Sequence, residues 1–496
     1  MLYKAINKLI FKTDPSHFMK NKSKLIFASC LVMTAVTMLS FKTILKQTPK
    51  PAKPNIIYIM ADDLGYGEVG FNGQKKIMTP NIDQLAKEGI IFNQHYAGTS
   101  VCGPSRAALM TGINTAHAHV RELSAWTASG KSIDLSSDEV TVASELKRAG
   151  YATAIIGKWG LDESNTTGNT LDHGFDYFYG YKTHMEAHHY YPEYIWINRD
   201  KVMLKDNNPA EHKGTYSNDE FTVQAIKYIQ QNKDKPFFLY LPYTIPHNEI
   251  TVPENSKKPY ENLGWPKKPM QPGHYYHDPE GNTTFAGMVS RLDGYVGQIL
   301  AELKKQGIDN NTLVVFTSDN GPAFNNEFFD ANGPLRGGKL TMYEGGIRIP
   351  FAARWPAKIK AGTTTDQPVA FWDFLPTACD IAGIKPTKQI DGISYLPTLT
   401  GHAKAQKQHD FFYWEVNETQ GPLQAVRMGN WKGIARYQQP FELYNLGTDM
   451  AETTNVADKY PEIAAKIKAT MAQTRTDNPE FPLTKRKSHY GGDGDN

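Results

Sequence analysis

Cysteine is scarce in this sequence: 496 residues hold three, at positions 30, 102 and 379. That excludes a small scaffold stapled by disulfides. Charge of one sign is lacking too. Lysine and arginine total 54 against 51 acidic residues, leaving a net charge of +3 at pH 7. With no basic block to track a phosphate backbone, nucleic acid is not an expected partner. Beyond residue 50 no apolar run is long enough to span a bilayer, and no internal repeat is present. What remains, with 40% hydrophobic residues, is a globular chain long enough for one large domain and a smaller one.

From Met19 the basic run MKNKSK precedes apolar LIFASCLVMTAVTMLSF, in the manner of the n-region and h-region of a secretory signal. Export is therefore expected, to the periplasm or cell envelope or into the medium. No Ala-x-Ala cleavage site follows, so retention of this segment as a membrane anchor stays open. PKPAKP then reads as a linker. Residues 1–50 are assigned to leader and linker, 51–395 to a large domain and 396–496 to a smaller C-terminal unit with a polar tail.

Apolar β-branched runs alternate with amphipathic ones. PNIIYIM, ATAIIGK, PFFLYLPY and NTLVVFTS read as strands, while TPNIDQLAKEGI, ASELKRAG, FTVQAIKYIQ and SRLDGYVGQILAELKKQG read as helices. The expected class is α/β: a large, mostly parallel sheet flanked by helices. After about residue 395, FFYWEV, LQAVRMG, WKGIARY and FELYNL are short strands and PEIAAKIKATMAQT a helix, predicting a smaller α+β unit on an antiparallel sheet.

Two predicted strands end in oxygen-rich pairs: Asp62-Asp63 after IIYIM and Asp319-Asn320 after TLVVFTS. In an open α/β sheet, ligands gather beyond the carboxyl ends of the strands. Four hard oxygen ligands there suit Ca²⁺ or Mg²⁺ rather than a soft metal, although either pair alone also fits turn chemistry. Cys379, in the apolar run FLPTACDIAGI, reads as a core thiol. Cys102 lies in SVCGPSR with no cysteine nearby, and a disulfide to Cys379 is the ordinary alternative.

Cys102-Gly103-Pro104-Ser105-Arg106 followed by AALMTG resembles the signature of type I, formylglycine-dependent sulfatases of the alkaline phosphatase-like superfamily. PNIIYIMADDLGYG, GYATAIIGKWG, FTSDNGP, LRGGK and YEGGIRIP are similar to further blocks of that family, in the same order. The resemblance implies that a separate maturating enzyme oxidises Cys102 to formylglycine (3-oxoalanine), whose hydrate attacks sulfur. It implies a Ca²⁺, ahead of Mg²⁺, held by Asp62, Asp63, Asp319, Asn320 and the modified Cys102. Arg106 would orient the nucleophile, Lys158 and Lys339 would grip the sulfate, and His247 would serve the leaving oxygen. The metal and three cations against three aspartates leave a positive surplus suited to an anionic ester.

One position departs from the pattern. Many members read Gly-Lys-Trp-His-Leu-Gly, whereas this chain has Gly160 where the histidine would be. His184, His188 and His189, in the aromatic stretch GYKTHMEAHHYYPEYIW, are candidates to replace that donor, and Asn248 joins His184 and His188 as a substrate-binding candidate. The aromatics of the stretch either stack on sugar rings or form a packed wall. The expected activity is hydrolysis of sulfate from a sulfated carbohydrate derived from a polysaccharide. Two alternatives stay open: a phosphoester or phosphonate hydrolase of the same superfamily, and a protein that binds sulfated glycan without turnover.

Overall fold

Asn55–Ala61 is buried along its whole length and lies at the centre of the main sheet. The computed structural model describes residues 53–485 except 124–126, 165–167, 270–272, 324–326 and 419–420. The expected leader, residues 1–50, lies outside the described residues. In chain order the main strands are β1 (Asn55–Ala61), β2 (Ile90–Phe92), β3 (His95–Tyr96), β4 (Ala152–Lys158), β5 (Tyr177–Tyr181), β6 (Tyr194–Ile197), β7 (Asp200–Met203) and β8 (Phe237–Pro242). They are followed by β9 (Thr312–Ser318), β10 (Phe351–Arg354), β11 (Thr363–Thr365) and β12 (Val369–Ala370). Ten of them form one sheet in the order β11-β2-β10-β9-β1-β8-β4-β5-β6-β7, and β3 pairs with β12 apart from it.

Pairing is parallel from β9 through β1, β8 and β4 to β5. It turns antiparallel at β10 against β9 and β2, and at β6 and β7. The mostly parallel sheet expected from the alternating pattern is thus its centre, where crossover helices cover both faces. Helices α1 (Pro80–Lys87), α2 (Cys102–Thr111), α3 (Val142–Arg148), α4 (Ser217–Asn232), α5 (Gly281–Lys305) and α6 (Phe374–Ala382) provide that cover. Because side chains alternate along a strand, Ile57 and Ile59 of β1 pack in one core with α1, α4 and α5. Tyr58 and Met60 face a second core with α2, α3 and α6. Burial of each apolar side chain contributes about 1.5–3 kcal/mol of transfer free energy, so the strand ends are held by two packed layers.

The register fixes what meets at one edge. β1 pairs with β9 from Asn55 opposite Thr312 to Ala61 opposite Ser318, so Asp62 and Asp319 emerge side by side. β8 and β4 flank β1 on the other side and deliver the segment leading to His247, and Lys158, to the same edge.

The smaller sheet, β13 (Phe412–Glu418), β14 (Gly421–Met428), β15 (Trp431–Arg436) and β16 (Glu442–Asn445), is antiparallel throughout. Helix α7 (Pro461–Thr474) covers one face through Ile467 and Met471. Trp414 on the other face packs with Tyr96 and Trp372 and donates from Nε1 to the Ala97 carbonyl at 3.0 Å.

One helix begins earlier than its sequence pattern suggests. α5 starts at Gly281, ahead of SRLDGYVGQ, because GNTTFAGMV is buried on all sides and carries no amphipathic period. α2 starts at Cys102, and Pro104 sits within its first turn, where a missing N–H is harmless.

Candidate active site

Cys102 opens α2 with Val101 extended ahead of it, and its side chain is buried. The first-turn amides and the positive end of the helix therefore lie at this residue. Ser105 fastens the turn to the sheet: its hydroxyl donates to the Asp319 carbonyl at 2.5 Å and accepts from the Gly98 amide at 3.0 Å. Lys158, Lys339, Asp62 and Asp319 all act electrostatically on the thiol, and burial pushes its pKa up. Cys102 and Cys379 are both buried and free, so no disulfide joins them.

Arg106 is wholly buried and joins the strand ends. Its Nε and Nη2 donate to Asp319 Oδ2 at 3.1 and 2.7 Å, and Nη1 donates to the Lys158 carbonyl at 2.9 Å. Nη2 also lies 3.3 Å from Asp62 Oδ1. Lys158 Nζ donates to Asp62 Oδ2 at 2.7 Å. Lys339 Nζ sits between Asp63 Oδ2 at 3.0 Å and His247 Nε2 at 3.1 Å. Residues from six separate segments are thus drawn into one buried cluster.

Asp63 occupies the left-handed region, φ 63°, unusual for a residue with a side chain. Its amide donates to Asp319 Oδ1 at 3.0 Å and its Oδ1 accepts from Asn320 Nδ2 at 2.6 Å, bonds that hold the strained backbone in place. Asp62 Oδ1 and Asn320 Oδ1 are buried without a hydrogen-bond donor. Burial would raise Asp62, but Lys158 and Arg106 hold it well below the usual carboxylate range. Burial and then the Asp62 charge push Asp319 up to about 7. Asp63 is also raised, by burial first, with Lys339 opposing. Three crowded carboxylates and two oxygens without a hydrogen bond match what a hard divalent cation needs. Ligand atoms of Asp62, Asp63 and His247 lie within 4.8 Å of one another.

His247 is buried, and burial followed by the Lys339 charge keeps its pKa well below the ordinary value. Its Nε2 lies 3.1 Å from Lys339 Nζ and 3.3 Å from Asp63 Oδ2, and Nδ1 is unpartnered. His188 stacks on it, centroids 5.1 Å apart and planes 16° from parallel. His188 Nδ1 lies 2.9 Å from His274 Nε2, and its Nε2 3.2 Å from the Tyr275 hydroxyl. His184 pairs instead with Glu163, Nδ1 to Oε2 at 2.8 Å, and its ring centroid is 5.6 Å from that of His188. Asn248 is half-buried beside His247.

Gly160 also has a left-handed backbone, φ 72°, and a Cβ there would meet Arg106 Cδ and Lys158 Cε at 3.8 Å, ordinary contact. The position that lacks the pattern's histidine therefore opens beside Arg106 and Lys158. The aromatic stretch divides: Tyr181, Tyr190 and Tyr191 pack into the core as a wall, while His188 turns to the site. His274, Tyr275 and Glu249 were not singled out by sequence. Their loops carry no periodic pattern, and the only local signal was the closeness of Glu249 to His247.

The sulfatase family model matches residues 54–384, and the N-sulphoglucosamine sulphohydrolase C-terminal model matches 338–477. This chain belongs to the sulfatase family. The sulfatase is 32% identical over 433 residues to mouse N-acetylgalactosamine-6-sulfatase, covering 82% of this chain and 77% of that one. It is 30% identical over 454 residues to human steryl-sulfatase, covering 76% and 74%. Ps i-CgsB, solved in complex with k-i-k-neocarrahexaose, superposes with a TM-score of 0.73 at 29% identity, covering 87% of this sulfatase and 95% of that chain. The large mixed sheet and the small antiparallel sheet are those of sulfatase structures, and the enzyme hydrolyses sulfuric esters.

Proposed function

We propose that this sulfatase removes sulfate from a sulfated carbohydrate, using a formylglycine made from Cys102 and a Ca²⁺ held by Asp62, Asp63, Asp319 and Asn320. The observation that carries the reading is Cys102 itself. It is a buried residue at a helix N-terminus, faced by Lys158 and Lys339, with its thiol pKa raised. A thiol so placed is a poor nucleophile at neutral pH. Conversion to the aldehyde hydrate supplies one hydroxyl to attack sulfur and a second to release sulfate.

The chain's own residues account for the remaining steps. Arg106 fixes the Asp319 and Asp62 carboxylates, so the metal-binding oxygens are set before substrate arrives. Lys158 and Lys339 place positive charge at the site, where the ester's sulfate oxygens need it. His247, with Nδ1 unpartnered, would hold a hydrogen-bond donor at the leaving oxygen. The bound cation would add Lewis-acid polarisation of a sulfate oxygen.

Sugars appear in the names of relatives of both kinds, a galactosamine sulfatase and a carrahexaose complex. Together with the histidine and tyrosine groups beside His247, this supports an oligosaccharide of polysaccharide origin as substrate. The basic and apolar run from Met19 supports export to the periplasm or cell envelope, and SVCGPSR supports recognition by a formylglycine-generating enzyme. The test is a panel of N-acetylgalactosamine 6-sulfate, sulfated neocarra-oligosaccharides, 4-nitrophenyl sulfate and 4-nitrophenyl phosphate. Sulfate release from sugars is expected to dominate. Preference for the phosphate ester, or glycan binding without release, overturns the reading.

A further inference from the structure

Beside the sulfate-reacting cluster is a cavity of about 500 Å³ that the reaction itself does not use. Its volume falls within the range of ~300–1,000 Å³ usual for small-molecule sites. The cavity begins where the active-site wall ends. His274, which lines it, touches His188, and His188 stacks on His247. Tyr275 belongs both to the cavity lining and to the contacts of His188.

At its wall lies Glu249, 1% exposed. Oε2 accepts from the Tyr276 amide at 2.9 Å. Oε1 is buried with no hydrogen-bond partner; His212 Nδ1 is 3.6 Å from it, beyond hydrogen-bond reach, and His189 Nδ1 is 3.4 Å from Oε2. Backbone bonds from Ile250 to the Tyr276 carbonyl and from Asp278 to the Ile250 carbonyl, both 2.9 Å, clamp the two loops and fix this carboxylate. A buried carboxylate oxygen without a donor is a costly vacancy, and an O–H or N–H donor from a ligand relieves it.

The remaining walls define what the donor belongs to. His212 and Tyr276 stack at 3.8 Å and 28°, offering a flat ring pair, and His189 and His274 offer imidazole nitrogens. Burial keeps His212 and His277 below the ordinary histidine value, so both are neutral. Among the described residues no lysine or arginine lines the cavity. A second sulfate or a carboxylate placed there would meet the Glu249 carboxylate, against which the described residues set imidazoles, His189 and His212, rather than a lysine or arginine.

Resting on the carbohydrate reading above, we propose that this cavity is the subsite for the unsulfated, uncharged sugar unit joined to the sulfated one. In it a ring hydroxyl donates to Glu249 Oε1. The sulfatase would then select, beside its sulfate ester, a neutral neighbour rather than a doubly sulfated or uronic one.

Calorimetric titration of desulfated neocarra-oligosaccharides and N-acetylgalactosamine-containing disaccharides into the full chain reads this subsite without chemistry. Glu249→Gln keeps an oxygen for the Tyr276 amide, and Glu249→Ala removes both oxygens. Either should weaken binding of whichever of these glycans the wild type binds by about tenfold or more, the worth of one hydrogen bond to a charged group. Each should also lower kcat/KM on the matching sulfated oligosaccharide by about tenfold more than on 4-nitrophenyl sulfate. Equal losses on the two substrates, unchanged binding in Glu249→Gln, or no binding of any desulfated glycan overturns the proposal. So does tighter binding of a glycan with a charged neighbouring unit. If the wild type releases sulfate from nothing, the carbohydrate sulfatase reading fails, while the titration still decides the subsite.

Discussion

The rings of His188 and His247 lie face to face, 5.1 Å between centroids and 16° from parallel, and both are buried. His247 carries the unpartnered Nδ1 at the site, and His188 limits how that ring turns. His188→Ala should lower kcat on 4-nitrophenyl sulfate by about 10–100-fold with a smaller change in KM, since misplacement of a reacting group by about 1 Å costs on the order of 10². His188→Phe, which keeps a stacking ring, should recover part of the loss. Equal kcat values for the Ala and Phe variants would contradict a positioning role.

Cys102 should not be a thiol in the working enzyme. Intact mass of protein made alongside a formylglycine-generating enzyme should show an aldehyde at this position, and Cys102→Ala should abolish turnover. Cys102→Ser lacks the second hydroxyl that releases sulfate, so alcohol release should stop at about one per protein chain. Sustained turnover by protein whose mass shows the unmodified cysteine sinks this prediction.

Calcium should stabilise the fold. A ligand bound only by the native state adds about 2.7 kcal/mol at a hundredfold excess over its Kd. After chelation, Ca²⁺ should raise Tm more than Mg²⁺ does, and Asp62→Asn should abolish the shift. A melting curve indifferent to both ions counts against the assigned ligands.

The smaller sheet is tied by charge to Glu344, in the segment after Lys339. Lys432 on β15 reaches Glu344 and Glu452, each at 2.9 Å, with all three side chains fully buried. Despite burial, the Lys432 charge holds Glu344 down at about 2, while burial pushes Glu452 up to about 7. Lys432→Met leaves two carboxylates without their partner and should cost about 3–5 kcal/mol, read by urea denaturation. Adding Glu344→Gln and Glu452→Gln should restore much of it. A single variant as stable as the parent would refute the linkage.

His409 should make stability depend on pH. Its Nε2 lies 2.7 Å from Asp373 Oδ1, and although burial opposes the charged form, the Asp373 charge leaves the folded pKa above 6.5. The stabilisation is complete below the unfolded pKa and is lost as pH rises through the folded one. His409→Ala should therefore lose more stability at about pH 5.5 than at about pH 9. Equal losses at the two values would exclude it.

Parts of this picture were legible because local chemistry wrote them. Asp62-Asp63 and Asp319-Asn320 follow apolar runs that can only be buried strands, and α7 occupies Pro461–Thr474, the run read as a helix. The start of α5 was not legible, because residues buried on every side lose the amphipathic period. Nor was the split among the tyrosines, since a core ring and a pocket ring have the same sequence signature.

The sequence by itself determined which residues follow the buried strands, Asp62-Asp63, Lys158 and Asp319-Asn320, and that Gly160 stands where the family pattern has a histidine. Tertiary structure decided what stands around them. His188, Glu249 and His274 come from three loops far apart in sequence, and only the sheet order and the bonds between residues 250 and 276–278 bring them together. Strand-end chemistry is encoded by short-range pattern, whereas a pocket wall is a set of long-range contacts for which no local periodicity exists.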